Sequence, residues 1–240
     1  MIRPSLRTAH AADFSLYHVT DSALSGGIDA VPGVVLAAVR GGAGAIQLRD
    51  KDASDADLLE LVRACRERLA SELGPRAQKV PLFVNDRLGV AEAARCHLHV
   101  GQSDVAAAAA REVLGEELMI GLSAGTAGQV RAALAEDTAD VLGIGPIRAT
   151  ATKADAAPPL GLEGLGECLD PWRQARHVSA ASAPLAVAIG GIDHRLAPEI
   201  AATGVDGLCV VSAIAAAPDP AAAAGRLREA IDQGRSSSRP

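Results

Sequence analysis

Lysine and asparagine are scarce in this chain of 240 residues: Lys51, Lys79 and Lys153 are the only lysines, and Asn85 is the only asparagine. Lys51, Asn85 and Lys153 each follow a short apolar run and stand beside other polar residues. The segment Gln47-Leu48-Arg49-Asp50-Lys51 leaves the run Ala45–Leu48. Side chains alternate along an extended strand, so Gln47, Arg49 and Lys51 share one face while Leu48 points the other way. Three donors on one face, two of them cationic, suit an anion with several oxygens such as a diphosphate. Asn85-Asp86 follows Leu82–Val84, and Gly101-Gln102-Ser103-Asp104 follows Leu98–Val100. Asp86 and Asp104 together suit one hard cation, and Mg²⁺ takes few carboxylates alongside phosphate oxygens and water. The other reading of Asp104 is a helix N-cap. His97 and His99 alternate on the same run and read as satisfied interior histidines rather than metal ligands.

Further along, Ser123 follows Met119–Leu122 and can donate to a ligand. Thr150, Thr152 and Lys153 put two hydroxyls and an ammonium within four residues, a clasp for an anion; a threonine-rich loop is the bland alternative. Gly190-Gly191 follows Leu185–Ile189, and Val211-Ser212 closes the last apolar run. Glycine lets a backbone approach an anion closely. The whole describes two anion-binding zones, one cationic with Mg²⁺ and one lined by amides. A diphosphate in the first and a monophosphate in the second is the reading this asymmetry suggests. No Ser-His-Asp set, CxxC or HExxH motif is apparent, so displacement of a diphosphate is the simplest chemistry.

These residues need elements to hold them. Apolar runs at Leu16–Val19, Ala45–Leu48, Leu82–Val84, Leu98–Val100, Met119–Leu122, Val141–Ile144, Leu185–Ile189 and Gly207–Val211 alternate with helical patterns. Buried-looking strands alternating with helices predict a parallel sheet. Eight such units at this length predict an α/β fold, a single (β/α)8 TIM barrel with the polar residues at the C-terminal strand ends. Ser54 is the expected N-cap of a helix with Leu58, Leu61, Val62, Cys65 and Leu69 on its inner face, ended by Gly74-Pro75. Thr126 caps a helix running to about Glu136, and Pro218-Asp219-Pro220 opens the last one. Segments 150–159 and 171–184 do not read as regular elements; the first reads as a lid over the site and the second as a peripheral loop or a frayed helix. The expected organisation is an N-terminal extension (1–14), the catalytic barrel (15–232) and a disordered tail (233–240).

Composition narrows the classes. A net charge of −6 with 2% aromatic residues disfavours nucleic-acid binding. No apolar run approaches the ~20 residues of a membrane span. The basic N-terminus has no apolar stretch after it, and the four scattered cysteines read as reduced, so the expected location is cytoplasmic.

The segments QLRDK (47–51), FVNDR (83–87), HVGQSD (99–104), GLSAGT (121–126), GPIRATATK (145–153), IGGI (189–192) and VVSAI (210–214) jointly resemble the thiamine-phosphate synthase family, across about Tyr17 to Ile214. The resemblance implies that Gln47, Arg49, Lys51, Asn85, Ser123 and Lys153 contact a pyrimidine diphosphate and that Asp86 and Asp104 bind Mg²⁺. It implies that Thr150, Thr152, Gly191, Val211 and Ser212, with Gly190 beside them, contact a thiazole phosphate. Arg49, Lys51, Ser123 and Lys153 would carry the catalysis. Asp50 stands where the family usually has Glu, and Gly125 where His is frequent. The implied partners are these small molecules, with a homo-oligomer as a further option. The rival readings are a thiazole tautomerase-like isomerase and a non-catalytic binding or regulatory protein of the thiamine pathway.

Overall fold

A computed structural model describes residues 2–149 and 158–237. Eight strands, β1 (Leu16–Val19), β2 (Ala45–Leu48), β3 (Leu82–Asn85), β4 (His97–Val100), β5 (Ile120–Ala124), β6 (Val141–Ile144), β7 (Leu185–Ile189) and β8 (Gly207–Val210), form a closed barrel in sequence order. Every neighbouring pair is parallel, including the closing pair of β1 with β8. The α-helices are α1 (Pro4–Ala11), α2 (Val31–Arg40), α3 (Asp55–Leu73), α4 (Leu88–Ala94), α5 (Ala107–Leu114), α6 (Ala127–Glu136), α7 (Gly161–Val178), α8 (Ala197–Ala202), α9 (Ser212–Ala215) and α10 (Pro220–Ser237), with short 3-10 turns at Ile28–Ala30 and Gly74–Lys79. The expected single (β/α)8 barrel is the fold observed.

Strand alternation divides the core in two. Leu16, Ile46, Leu48, Val84, Leu98 and Leu142 face outward and pack with the helices. Tyr17, Ala45, Phe83, Met119, Val187 and Cys209 face inward and fill the barrel. Both phenylalanines and the single tyrosine of the chain lie in this inner cluster. Phe14, Tyr17, Phe83 and His97 stack edge-on or tilted, with centroids 5.0–6.0 Å apart. Aromatic pairs in such geometry add to the burial of their area.

The helix signals hold at α3, where Ser54 and Asp57 form a reciprocal capping box, and at α6, where Thr126 accepts from the Gln129 amide at 3.2 Å. At α10 Asp219 accepts from the Ala222 amide at 2.9 Å. Elsewhere the structure corrects the reading. β3 extends to Asn85, β4 begins at His97, and β5 runs from Ile120 to Ala124. Of the two readings of segment 171–184, the helix holds over its first half and the loop over the rest. Helix α7 runs through Pro171 to Val178, since Leu165, Cys168, Leu169 and Trp172 keep one buried face and the Trp172 indole donates to the Pro184 carbonyl at 2.8 Å. Burial of that face outweighs the amide that proline lacks.

The ends differ from expectation as well. The extension 1–14 contains α1, with Leu6 and Ala9 buried against the N-terminal end of the barrel. The tail placed at 233–240 is helical through Ser237, and Arg235 donates to Ser15 Oγ at 2.7 Å and to the Asp206 carbonyl at 2.5 Å. The lid expected at 150–159 falls largely on 150–157, outside the described residues.

Candidate active site

Because the strands are parallel and the barrel closed, residues following each strand gather on one rim. Gln47, Arg49 and Lys51 leave β2, Asn85 and Asp86 leave β3, Asp104 follows β4, and Ser123 ends β5. Gly190-Gly191 follows β7 and Val211-Ser212 follows β8. Thr150, Thr152 and Lys153, after β6, lie outside the described residues.

The closest grouping joins β2, β3 and β4. The Asp86 and Asp104 carboxylates lie close enough for Asp104 to raise the proton affinity of Asp86, and the Arg49 charge also acts on Asp86. Burial, and then the neighbouring Asp104, push the Asp86 carboxyl up to about 6; Asn85 and Arg49 pull it back. Two carboxylates in contact are stable only with a proton between them or a cation beside them. This donor set fits a hard divalent ion that keeps other positions for water and phosphate oxygens. Among the described residues no cluster of three or more His, Cys, Asp or Glu has metal-site geometry.

Local backbone chemistry sets these carboxylates. Asp86 has φ +61°, a left-handed conformation that aspartate tolerates better than most residues. Its amide donates to the His99 carbonyl at 2.8 Å, one step past the β3–β4 ladder. Asp104 is no helix cap: α5 begins at Ala107, and Asp104 Oδ2 accepts from the Gly101 amide at 2.7 Å instead. That bond turns the carboxylate back toward the end of β4. Asp50 accepts from the amides of Asp52 and Ala53 at 2.9 and 3.0 Å, facing its own loop rather than the anion zone.

Gln47 is buried and donates from Nε2 to the Tyr17 hydroxyl at 3.0 Å, whereas Lys51 is exposed. The face that alternation assigns to these residues therefore runs from the barrel interior to solvent. Ser123 has a partner that sequence reasoning passed over. His99, interior as expected, lies 3.0 Å from Ser123 Oγ through Nε2. Its ring crosses Gly121 and Gly143; a Cβ at Gly121 would meet the ring at 2.2 Å, and one at Gly143 at 3.2 Å. The paired glycines opposite a histidine are the sequence signal that could have exposed this contact.

The glycines after β7 serve packing as well as approach. Ile147 and Arg148 amides donate to the Ile189 and Gly190 carbonyls at 2.9 and 3.0 Å, joining the turns after β6 and β7. A Cβ at Gly190 would meet Pro146 at 2.6 Å, and one at Gly191 would meet Arg148 at 2.7 Å. Ser212 starts the short helix α9 directly after β8, the position where barrels of this kind commonly place a phosphate.

A closed parallel barrel with a carboxylate pair, an arginine beside it and glycine turns on the same rim has the layout of the (β/α)8 enzymes that handle phosphorylated small molecules. The family can be stated more closely. Residues 16–214 match the family model described as thiamine monophosphate synthase, and the chain belongs to that family. It is 43% identical to the thiamine-phosphate synthase of Moorella thermoacetica, covering 92% of this chain and 98% of that one. It is also 43% identical to a thiamine biosynthesis multifunctional protein, ThiED, of Corynebacterium efficiens, over 95% of this chain but only 30% of that protein's length. The thiamine phosphate pyrophosphorylase of Pyrococcus furiosus superposes with a TM-score of 0.77 at 30% identity, covering 93% of this chain and 98% of that one. None of the described helices is long and apolar enough to cross a membrane.

Proposed function

We propose that the chain is a transferase that joins 4-amino-2-methyl-5-hydroxymethylpyrimidine diphosphate to 4-methyl-5-(2-phosphoethyl)thiazole, giving thiamine phosphate and diphosphate. The observation that carries this reading is the carboxylate pair Asp86–Asp104 with the Arg49 charge beside it. A diphosphate needs cations, and a like-charged pair needs one too. Asp86 and Asp104 would hold Mg²⁺, which when bound offsets charge on the departing diphosphate.

In the reaction the C–O bond between the pyrimidine methylene and the diphosphate breaks, the oxygen keeping the electron pair. The thiazole nitrogen supplies the pair for the new N–C bond. The aminopyrimidine is electron-rich and tolerates a cationic methylene, so bond breaking runs ahead of attack. Arg49, Lys51 and Lys153 would meet the negative charge that develops on the leaving group. Gln47, Asn85 and Ser123 would orient the pyrimidine, with His99 steering the Ser123 hydroxyl. Thr150, Thr152, Gly190, Gly191, Val211 and Ser212 would take the thiazole phosphate, whose nitrogen they bring into line. A cytoplasmic setting goes with this reading, and the four described cysteines, buried and unpaired, suit a reducing compartment.

The test is purified protein with both substrates, with and without Mg²⁺, read as thiamine phosphate formed and diphosphate released in equal amounts. Turnover that needs both substrates and the metal is the expected result. Isomerisation of the thiazole phosphate without any condensation would overturn it.

A further inference from the structure

The anion zone is held from behind by a residue that touches neither substrate nor metal in the reading above. The last ladder pair between β1 and β2 is Val19↔Gln47. Two residues later, where Arg49 leaves the sheet, its main chain has no β1 strand to pair with. Thr20 takes over that task. Its amide donates to the Gln47 carbonyl at 2.8 Å. Its hydroxyl accepts from the Arg49 amide at 3.0 Å and donates to the Arg49 carbonyl at 3.3 Å. One buried side chain thus satisfies both main-chain groups of Arg49 and copies the ladder one step beyond the strand.

A hydroxyl is suited to this because it donates and accepts at once. The neighbouring Asp21 adds a second hold: its Oδ2 lies 4.0 Å from Arg49 Nη1, and its Oδ1 accepts from the Leu24 amide at 3.0 Å. Arg49 is therefore fixed in its backbone by Thr20, with Asp21 near its guanidinium and its charge felt at Asp86.

We propose that Thr20 is a positioning residue for the leaving-group zone, setting Arg49 through the two hydrogen bonds of its hydroxyl. The inference rests on the function proposed above, in which Arg49 receives the diphosphate. Thr20→Val keeps the shape and removes the hydroxyl, so the part-buried amide and carbonyl of Arg49 lose the two hydrogen bonds it makes to them. The tip then loosens where the diphosphate binds, and not on the opposite side of the rim.

The test uses the full chain. Magnesium diphosphate binding is measured by calorimetry, and KM is measured for each substrate. Thr20→Val is expected to weaken diphosphate binding and raise KM for the pyrimidine diphosphate about tenfold, the scale of one or two lost hydrogen bonds. KM for the thiazole phosphate stays where it was. Thr20→Ser restores both values, because the hydroxyl returns. In an Arg49→Ala background, Thr20→Val has no further effect on diphosphate binding, the non-additivity expected of residues acting through one another. Equal losses for both substrates, additive effects with Arg49→Ala, or no rescue by serine would overturn the proposal. So would failure of both Thr20→Val and Thr20→Ala to fold, which would make the role one of stability alone. Diphosphate binding does not require turnover. A wild-type chain that binds it yet forms no thiamine phosphate counts against the proposed function, whereas an active enzyme with unchanged diphosphate affinity in Thr20→Val counts against this inference only.

Discussion

The two ends of the barrel treat charge in opposite ways. At the N-terminal floor, Asp140 is fully buried, and its carboxylate accepts from Ser5 Oγ at 2.9 Å, the Ile120 amide at 2.8 Å and Arg111 at 2.6 Å, with Arg3 at 3.4 Å. Asp206 repeats the pattern with Arg176 and the Ala186 amide. Every floor carboxylate of this kind is neutralised by the protein itself. At the C-terminal rim, Asp86 and Asp104 face each other instead, and Asp86 adopts positive φ. The floor spends its charges on holding α1 and the strand starts together. The rim keeps like charges in contact, a cost in stability that a bound cation would relieve.

The contrast breaks most visibly at Asp140. Asp140→Ala leaves Arg111, buried beneath the sheet, without its counter-charge, and removal of one partner of a buried pair costs about 3–5 kcal/mol. Denaturant unfolding should show that loss, while turnover per folded molecule stays unchanged. A parallel loss of turnover would mean that the floor also sets the rim. The reverse holds for Asp86→Asn. Asparagine keeps the left-handed backbone that Asp86 requires and removes the charge. Turnover should fall about 10²–10³-fold, as for loss of one electrostatic contributor, with a melting temperature equal to or above that of the parent. A lower melting temperature with normal turnover would reverse the assignment of the two ends.

Acid tests the barrel wall between them. The Met119 amide donates to His97 Nδ1 at 3.0 Å, so that nitrogen carries no proton. Burial, helped by the Arg66 charge, holds His97 down at about 4. Burial also holds His18 at about 4, although its hydrogen bond to the Val210 carbonyl acts upward. Unfolded histidine titrates near 6.5. The folded values lie below the unfolded one, so this stability is complete above pH ~6.5 and is lost as pH falls toward 4. From pH 7.5 to 5.5 each histidine should lower stability by about 1–1.5 kcal/mol. Unfolding midpoints at the two pH values check this, and loss of the acid-side fall in a His97→Gln, His18→Gln double variant would assign the effect.

The floor and the rim also differ in how far they could be read from the chain. The rim was legible in type and order, because strand ends carry short polar motifs directly after apolar runs such as Ala45–Leu48. The contacts within it were less so: the bond from Asp104 to the Gly101 amide competes with helix capping, and the Thr20 hydroxyl bonds across to another strand 29 residues away. The floor was nearly invisible. Ser5 and Asp140 meet over 135 residues, and nothing in the segment 1–14 signals that α1 belongs to the barrel. Segment 171–184 leaves a loop and a frayed helix both open, and the buried face from Leu165 to Trp172 decides for the helix, carrying α7 through Pro171. Local pattern reports periodicity; it does not report which distant group will satisfy a charge.

The smallest expected effect sharpens the rim. Gly125 follows β5, two residues beyond Ser123, at the position where the family resemblance leads one to expect His. Its amide donates to Gln129 Oε1 at 2.7 Å, so the turn into α6 is held by the backbone and not by a side chain at 125. A Cβ there would lie 3.2 Å from the Gly145 carbonyl and 3.7 Å from Gln129 Oε1. That is close, but a shift of a few tenths of an ångström relieves it. Gly125→Ala should therefore change stability by no more than about 0.5 kcal/mol and leave both KM values near those of the parent. Gly125→His extends a ring from the same point over the rim, and its effect should appear in kcat before it appears in stability. If Gly125→Ala instead abolished turnover, the contact between the turns after β5 and β6 would be part of the anion zone. The boundary drawn here between the rim that binds and the turns that merely close the barrel would have to move inward.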